Sequence, residues 1–260
     1  MSPLMIICLF IPLLGTTLGS GMVFLLKKDI NPNIQKLLLG FASGVMLAAS
    51  IWSLLQPAID SYEDGNFLSY LIPSLGFLAG IAFLLILDYA VPHTHINNEE
   101  ERPVKAKSKL DNSMKLLLAV TIHNIPEGLA FGVVIAGAIK GTINESAMLA
   151  LAIGIAIQNF PEGAIVSMPL EGEGISKPKS FFYGFLSGVV EPIAALITIA
   201  LTVFVTAILP FTLSFAAGAM IYVVAEELIP EANEGKHSNL ATIGLAIGFV
   251  IMMVLDIALG

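Results

Sequence analysis

HNIPEG at residues 123–128 and QNFPEG at residues 158–163 each lie in the middle of a long apolar run. The second stretch repeats the first at four of six positions, 35 residues later. An apolar run of about 20 residues can cross a bilayer as a helix. Each motif therefore places an amide, a carboxylate and a proline inside a membrane, and the pair predicts two proline-kinked transmembrane helices.

The composition indicates a polytopic membrane protein. Of 260 residues, 56% are hydrophobic and only 12% are charged, with a mean hydropathy of +0.88. The charged share is about half that of a soluble domain. There is no basic patch, so we expect no nucleic-acid partner. The single cysteine, Cys8, excludes an intrachain disulfide and a cysteine-based zinc site.

Apolar runs recur along the whole chain and predict a single all-α domain, residues 1–260, with eight transmembrane helices. The break between the sixth and seventh runs is placed at Pro210, because proline interrupts a helix. The predicted spans are Pro3–Leu26, Leu37–Pro57, Phe67–Ala90, Leu116–Ile139, Ala147–Leu170, Phe181–Leu209, Phe211–Ile229 and Leu240–Leu259.

The basic residues predict the orientation in the cell membrane. Eleven of the 12 Lys and Arg residues fall in the connections after spans one, three, five and seven, and only Lys140 lies on the other side. Basic connections stay in the cytoplasm, so both termini are expected outside. The cytoplasmic loop 91–115 contains His93 and His95, and it is either a solvated linker or a weak metal-collecting segment.

Six pairs of glycines at G-x-x-x-G spacing predict close packing between helices, because glycine lets two backbones approach in lipid. This is ordinary bundle packing and says nothing about a cargo. The pairs are Gly15/Gly19, Gly40/Gly44, Gly76/Gly80, Gly128/Gly132, Gly184/Gly188 and Gly244/Gly248.

Three glutamates are expected near the middle of the bilayer. With about 1.5 Å of rise per residue, Glu127, Glu162 and Glu191 lie about 12–16 Å from the cytoplasmic ends of their spans, and Met46 has a similar depth. No Lys or Arg lies inside a predicted span to pair with these carboxylates. A charged group at this depth is costly, so protons or a bound cation must supply the countercharge.

The remaining acids of the spans lie closer to the membrane surfaces. Asp88, Asp256, Glu226 and Glu227 are expected at interfacial or hydrated positions. For Glu226 and Glu227 a role in cargo release or gating stays open.

The spacing within the motifs groups their polar side chains. Residues i and i+4 share a helix face, so His123 lies with Glu127 and Gln158 lies with Glu162. Each proline leaves the carbonyl four residues earlier without its hydrogen bond, which offers a further oxygen ligand. A helix–helix hydrogen bond is the alternative for one such motif, but a matched pair is typical of a transport site near the midplane.

One imidazole with carboxylates and amides suits zinc, iron(II), manganese or cadmium. The lack of cysteine ligands argues against copper(I), and magnesium would not need His123. We therefore expect a divalent-metal transporter with zinc as the first choice. The alternatives are an intramembrane metalloenzyme, for which no HExxH or similar constellation is present, and a metal sensor without net flux.

These motifs resemble the ZIP family of divalent-metal transporters, in particular its GufA-like branch. GFASGVMLAAS at residues 40–50 and SGVVEP at residues 187–192 are similar to that branch as well. The resemblance implies a two-metal site bridged by Glu127 and Glu162. The first metal would bind Met46, His123, Glu127, Gln158 and Glu162, and the second would bind Asn124, Glu127, Asn159, Glu162 and Glu191.

The resemblance further implies a homodimer that moves metal into the cytoplasm. Helices one, four, five and six would slide against a scaffold of helices two, three, seven and eight. The chain departs from many members of the family at Gln158, where a second histidine is common, and at the neutral Asn159. Its loop between spans three and four is also poor in histidine.

Overall fold

The computed structural model describes residues 1–25, 31–62, 66–90, 112–172, 174–202, 208–235 and 238–259. Eight helices in these ranges are long and apolar enough to cross a membrane, as predicted. They are α1 (Pro3–Leu25), α2 (Pro32–Asp60), α3 (Leu68–Ala90), α4 (Asn112–Lys140), α5 (Glu145–Gly172), α6 (Lys177–Thr202), α7 (Leu209–Ala232) and α8 (Leu240–Leu259). His93 and His95 lie outside the described residues.

The helix ends differ from the predicted spans most clearly around Pro210. The predicted break between spans six and seven is confirmed, since two separate helices are present. Pro210 itself lies in the first turn of α7 and not between the two helices. Proline is tolerated there since the first amide groups of a helix have no partner inside it. Leu209 therefore belongs to α7, and α6 is described only as far as Thr202.

The helices pack in two groups of four. In group one, α1 packs on α5 and α6, and α4 packs on α5 and α6. In group two, α2 packs on α8, α3 packs on α7, and α2 also contacts α7. The two groups meet where α2 and α8 contact α5 and where α4 contacts α7. Helix α5 is the most buried of the eight and lies at the centre of the molecule.

The packing follows an inverted repeat that relates α1–α3 to α6–α8. The pair α2–α8 corresponds to α7–α3, and the pair α1–α5 corresponds to α6–α4. The chain itself repeats at these places, since FASGVM at residues 41–46 returns as FAAGAM at residues 215–220. Repeats of this kind recur in secondary transporters, with the substrate site at their interface.

A short π-helix interrupts both α2 and α7 at the corresponding place. Ser50–Leu55 is the π-segment of α2, and Val224–Leu228 is that of α7. Each segment starts four residues after the methionine of the repeat and is followed by Pro57 or Pro230. A π-segment inserts one residue into a turn and rotates the side chains that follow.

The predicted glycine pairs lie where two helices touch. A methyl group at Gly44 would collide with the backbone of Leu245 and Phe249, and one at Gly80 would collide with Phe215 and Ala219. The pairs therefore serve helix packing, as the sequence predicted, and they hold α2 against α8 and α3 against α7.

We expect Gly80→Val to lower the thermal stability of the detergent-solubilised protein. Overpacking of this kind costs about 1–3 kcal/mol, which corresponds to a fall of several degrees in melting temperature. The measurement is size-exclusion chromatography after heating. Leu78→Val is the control, because Leu78 on the same helix is 61% exposed on the lipid-facing surface. Equal melting temperatures for both variants would contradict the close α3–α7 contact.

Candidate metal site

Six polar side chains of the two motifs are buried together where α4 and α5 approach α6. Four of them, Asn124, Glu127, Gln158 and Asn159, are at most 1% exposed, while His123 is 9% and Glu162 is 6% exposed. Glu191 on α6 is 2% exposed. The carboxyl groups of Glu127, Glu162 and Glu191 lie within range of one another's charge. The three glutamates, which the sequence placed at a similar depth, thus lie in one region of the bundle.

The amide groups of α5 link two of these carboxylates. Gln158 Nε2 donates to Glu127 Oε1 at 2.6 Å and to Asn159 Oδ1 at 3.3 Å. Asn159 Nδ2 donates in turn to Glu191 Oε2 at 2.8 Å. The result is a continuous hydrogen-bonded chain from α4 through α5 to α6, which fixes the orientation of both carboxylates.

Helix α1 supports the far end of this chain. Thr16 Oγ1 donates to the other oxygen of Glu191 at 3.2 Å, and the carbonyl of Pro12 accepts from Asn159 Nδ2 at 3.4 Å. Neither Thr16 nor Pro12 stood out in the sequence. A threonine one turn after a proline in the first span was the only sequence feature that could have drawn attention to Thr16. Nothing in the sequence linked it to Glu191.

Two glycines of the motifs allow the helices to approach at the site. A Cβ atom at Gly128 would lie 2.9 Å from Glu191 Cα and 2.8 Å from Ala194 Cβ. A Cβ atom at Gly163 would lie 2.8 Å from the backbone nitrogen of Ser20. These contacts bring α6 onto α4 and α1 onto α5.

Four buried oxygen atoms of α4 and α5 have no hydrogen-bond partner within the described part of the chain. Such an atom costs about 1–3 kcal/mol unless something replaces the lost hydrogen bond with water. A bound cation would replace the missing hydrogen-bond partners, so the residue types present fit a metal ion. The atoms are Asn124 Oδ1, Glu127 Oε2, Gln158 Oε1 and Glu162 Oε2.

Carboxylates and imidazole alone do not complete this site. Among the described residues, no three His, Cys, Asp or Glu side chains are grouped so that they could hold a metal ion. Amides lie between the acids, since Gln158 and Asn159 stand between Glu127 and Glu191. An ion here therefore needs amide oxygens as ligands, and the amide oxygens of Asn124 and Gln158 have no hydrogen-bond partner among the described residues. The amide nitrogen of Asn124 donates to the Ser187 carbonyl at 2.9 Å, which fixes the orientation of that amide.

The structure places His123 and Met46 differently from the other candidates. His123 Nε2 contacts Glu227 Oε2 of α7 directly. Met46 is fully buried in α2 and belongs to the apolar core. Its assignment as a ligand stays a prediction.

Glu227 does not lie at the interfacial position that its sequence position favoured. Its side chain is only 9% exposed against His123, while the neighbouring Glu226 is exposed. Both belong to the π-segment of α7, whose extra residue turns Glu227 towards α4. One turn later, Glu231 accepts from Gln35 at 3.5 Å.

Asp256 lies near the end of α8, as expected, and lines a cavity there although little of its side chain is exposed. Its carboxylate is 8% exposed and accepts a hydrogen bond of 2.7 Å from Ser53 in the π-segment of α2. Both residues line a cavity of about 560 Å³ at the ends of α2 and α8, which Asp60 and Asn144 also line. This cavity and Glu231 lie at opposite ends of α2. The side chain of Asp88 is outside the described part of the structure.

The model of the ZIP zinc transporter family matches residues 91–256. Zinc transporter ZIP11 of Xenopus tropicalis is 38% identical over 318 aligned positions, which cover 94% of this chain and 94% of that protein. Zinc transporter GufA of Myxococcus xanthus is 34% identical, covering 95% and 96%. Zinc transporter ZIPB of Bordetella bronchiseptica is 36% identical, covering 95% and 78%.

We expect Thr16→Val to weaken zinc binding although Thr16 is not a candidate ligand. The substitution keeps the shape and removes the hydrogen bond that orients Glu191, and a lost orienting group costs about 10–100-fold in metal affinity. Isothermal titration calorimetry of purified protein provides the measurement. Thr17→Val is the matched control, since the Thr17 hydroxyl donates only to the Leu13 carbonyl of its own helix. Equal affinities would contradict the supporting role of α1.

Proposed function

This chain belongs to the ZIP family of zinc transporters, and on that premise we propose that it carries zinc into the cytoplasm through a two-metal site by alternating access. Members of this family are transporters and not enzymes, so the alternative of an intramembrane metalloenzyme is dropped. The four unpaired oxygens of α4 and α5 carry the proposal, because they make a buried site that favours a divalent cation.

In the proposed two-metal site, Glu127 and Glu162 bridge the ions. The other ligands of one ion are Met46, His123 and Gln158. The other ligands of the second ion are Asn124, Asn159 and Glu191. The amide chain from Gln158 to Glu191 supports the second position, because it already orients a carboxylate and an amide oxygen. Iron(II), manganese and cadmium have similar ligand preferences and are further candidate cargoes.

The route across the membrane follows from the two ends of group two. We place the 560 Å³ cavity with Asp60 and Asp256 on the outside, where hydrated cations would collect. We place Glu227 and its partner His123 on the opposite, cytoplasmic side of the site, because Glu227 lies near the end of α7 that carries Glu231. The distribution of basic residues supports this direction, with both termini outside and the loop 91–115 inside.

Alternating access requires that the site move between the two sides. Group one holds every candidate ligand except Met46, and its internal contacts are the close α1–α5 and α4–α6 pairs. We propose that group one slides against group two, and that group two also forms a homodimer in the plasma membrane. The inverted repeat supports two exchangeable packings of this kind.

We expect zinc uptake into proteoliposomes that contain the wild type and none with the double variant His123→Ala, Glu127→Ala. Zinc-sensitive dye trapped inside the vesicles gives the rate. Glu145→Gln is a suitable control, because Glu145 is exposed at the start of α5. Equal uptake by the double variant would end the proposal, and zinc binding without any wild-type uptake would favour a metal sensor.

We expect the wild type to bind two zinc ions per chain, and Glu191→Gln to bind one. Glu191 belongs only to the second position, and its loss leaves the ligands of the first intact. Metal analysis of protein equilibrated with zinc and freed of unbound metal gives the stoichiometry. One ion in both proteins would contradict the binuclear site but not transport itself.

A further inference from the structure

We propose that the contact between His123 and Glu227 is a latch between the two helix groups, which the cargo opens by taking the histidine from the glutamate. The inference rests on the proposed function, in which His123 is a metal ligand. It assigns to Glu227 the role of a competitor for His123 and not of a further ligand.

The contact crosses the boundary between the groups. His123 lies on α4 of group one and Glu227 on α7 of group two, and both side chains are close to fully buried. The hydrogen bonds around Glu127, Asn159 and Glu191 stay within group one. Those of Ser53 and Gln35 stay within group two. The latch thus joins the two groups, whereas each of these hydrogen bonds lies within one group.

The chemistry of the imidazole makes the two partners mutually exclusive. The His123 nitrogen that faces Glu227 is Nε2. An imidazole nitrogen binds a metal through its one in-plane lone pair, in the same direction in which it would otherwise meet a hydrogen-bond partner. An ion held through Nε2 therefore occupies the place of the Glu227 carboxylate. Binding of the cargo separates α4 from α7 at this point, and its departure lets the contact form again.

The surroundings favour this exchange. Glu162, a bridging candidate, is within range of the charges of both His123 and Glu227, and Glu231 is within range of both as well. Once His123 turns to the ion, Glu227 stays in an acidic neighbourhood on the cytoplasmic side. The π-segment that holds it is a place where a helix can shift by one residue, so α7 can move Glu227 away without unfolding.

The test is zinc affinity by calorimetry for Glu227→Gln, with Glu226→Gln as the matched control. Both variants remove one negative charge from the same π-segment, but Glu226 is exposed. We expect Glu227→Gln to bind zinc about fivefold to tenfold more tightly than the wild type, because a neutral amide competes less well than a carboxylate. Glu226→Gln should bind like the wild type.

Weaker binding by Glu227→Gln would make this residue a ligand and overturn the latch, and unchanged binding would overturn it too. Glu227→Ala removes the side-chain partner altogether, and its zinc affinity should rise as that of Glu227→Gln does. Agreement of the two variants excludes an effect that comes only from the new amide group. Failure of the wild type to bind zinc would instead contradict the proposed function, so the two failures are distinguishable.

A second readout follows the distance between the groups. Spin labels at Leu117 of α4 and Asn233 after α7, in a Cys8→Ser background, report the α4–α7 separation by electron paramagnetic resonance. Zinc should shift the distance distribution of the wild type, and Glu227→Gln should show the shifted distribution without zinc. A distribution that zinc does not change would refute the latch.

Discussion

A carboxylate within the hydrocarbon core of a membrane must be neutralised, and this constraint governs the whole structure. Glu127, Glu162 and Glu191 are buried on three different helices and lie close enough for their charges to repel. Repulsion of this size would push α4, α5 and α6 apart if nothing opposed it. The amide donors of α5 and the hydroxyl group of α1 oppose it in part. Two bound divalent cations would oppose it much more strongly, since their positive charge exceeds the negative charge of the three carboxylates.

The close helix contacts at two glycines allow these polar side chains to meet. Because Gly128 lets α6 touch α4, Glu191 reaches the two motifs from a separate helix with a short side chain. Gly163 does the same for α1, which brings Thr16 within hydrogen-bond distance of Glu191. Polar chemistry at the centre therefore depends on small residues at the helix contacts, and a larger side chain at either glycine would open the cluster without altering any polar group.

The sequence predicted the number of helices, the helix type and the convergence of the three glutamates, because apolar run length and the cost of buried charge act locally. It did not predict the position of Glu227. The depth of Glu227 near the cytoplasmic end of its span indicated an interfacial position, and nothing in the sequence indicated the π-segment in which it contacts His123. Thr16 was missed because its partner lies 175 residues away in the chain.

The long separation between α1 and its partners has a consequence for biogenesis. Helix α1 leaves the ribosome before α5 and α6, and the surface that carries Thr16 and Ser20 is covered only when those two helices have been made. During synthesis these hydroxyl groups can be satisfied by the carbonyls of their own helix, as Ser20 Oγ is by the Thr16 carbonyl at 2.8 Å. Helix α1 can thus lie in lipid before its partners are made, without a large free-energy cost from unpaired hydroxyl groups. The metal-binding centre is assembled late, when α6 leaves the translocon.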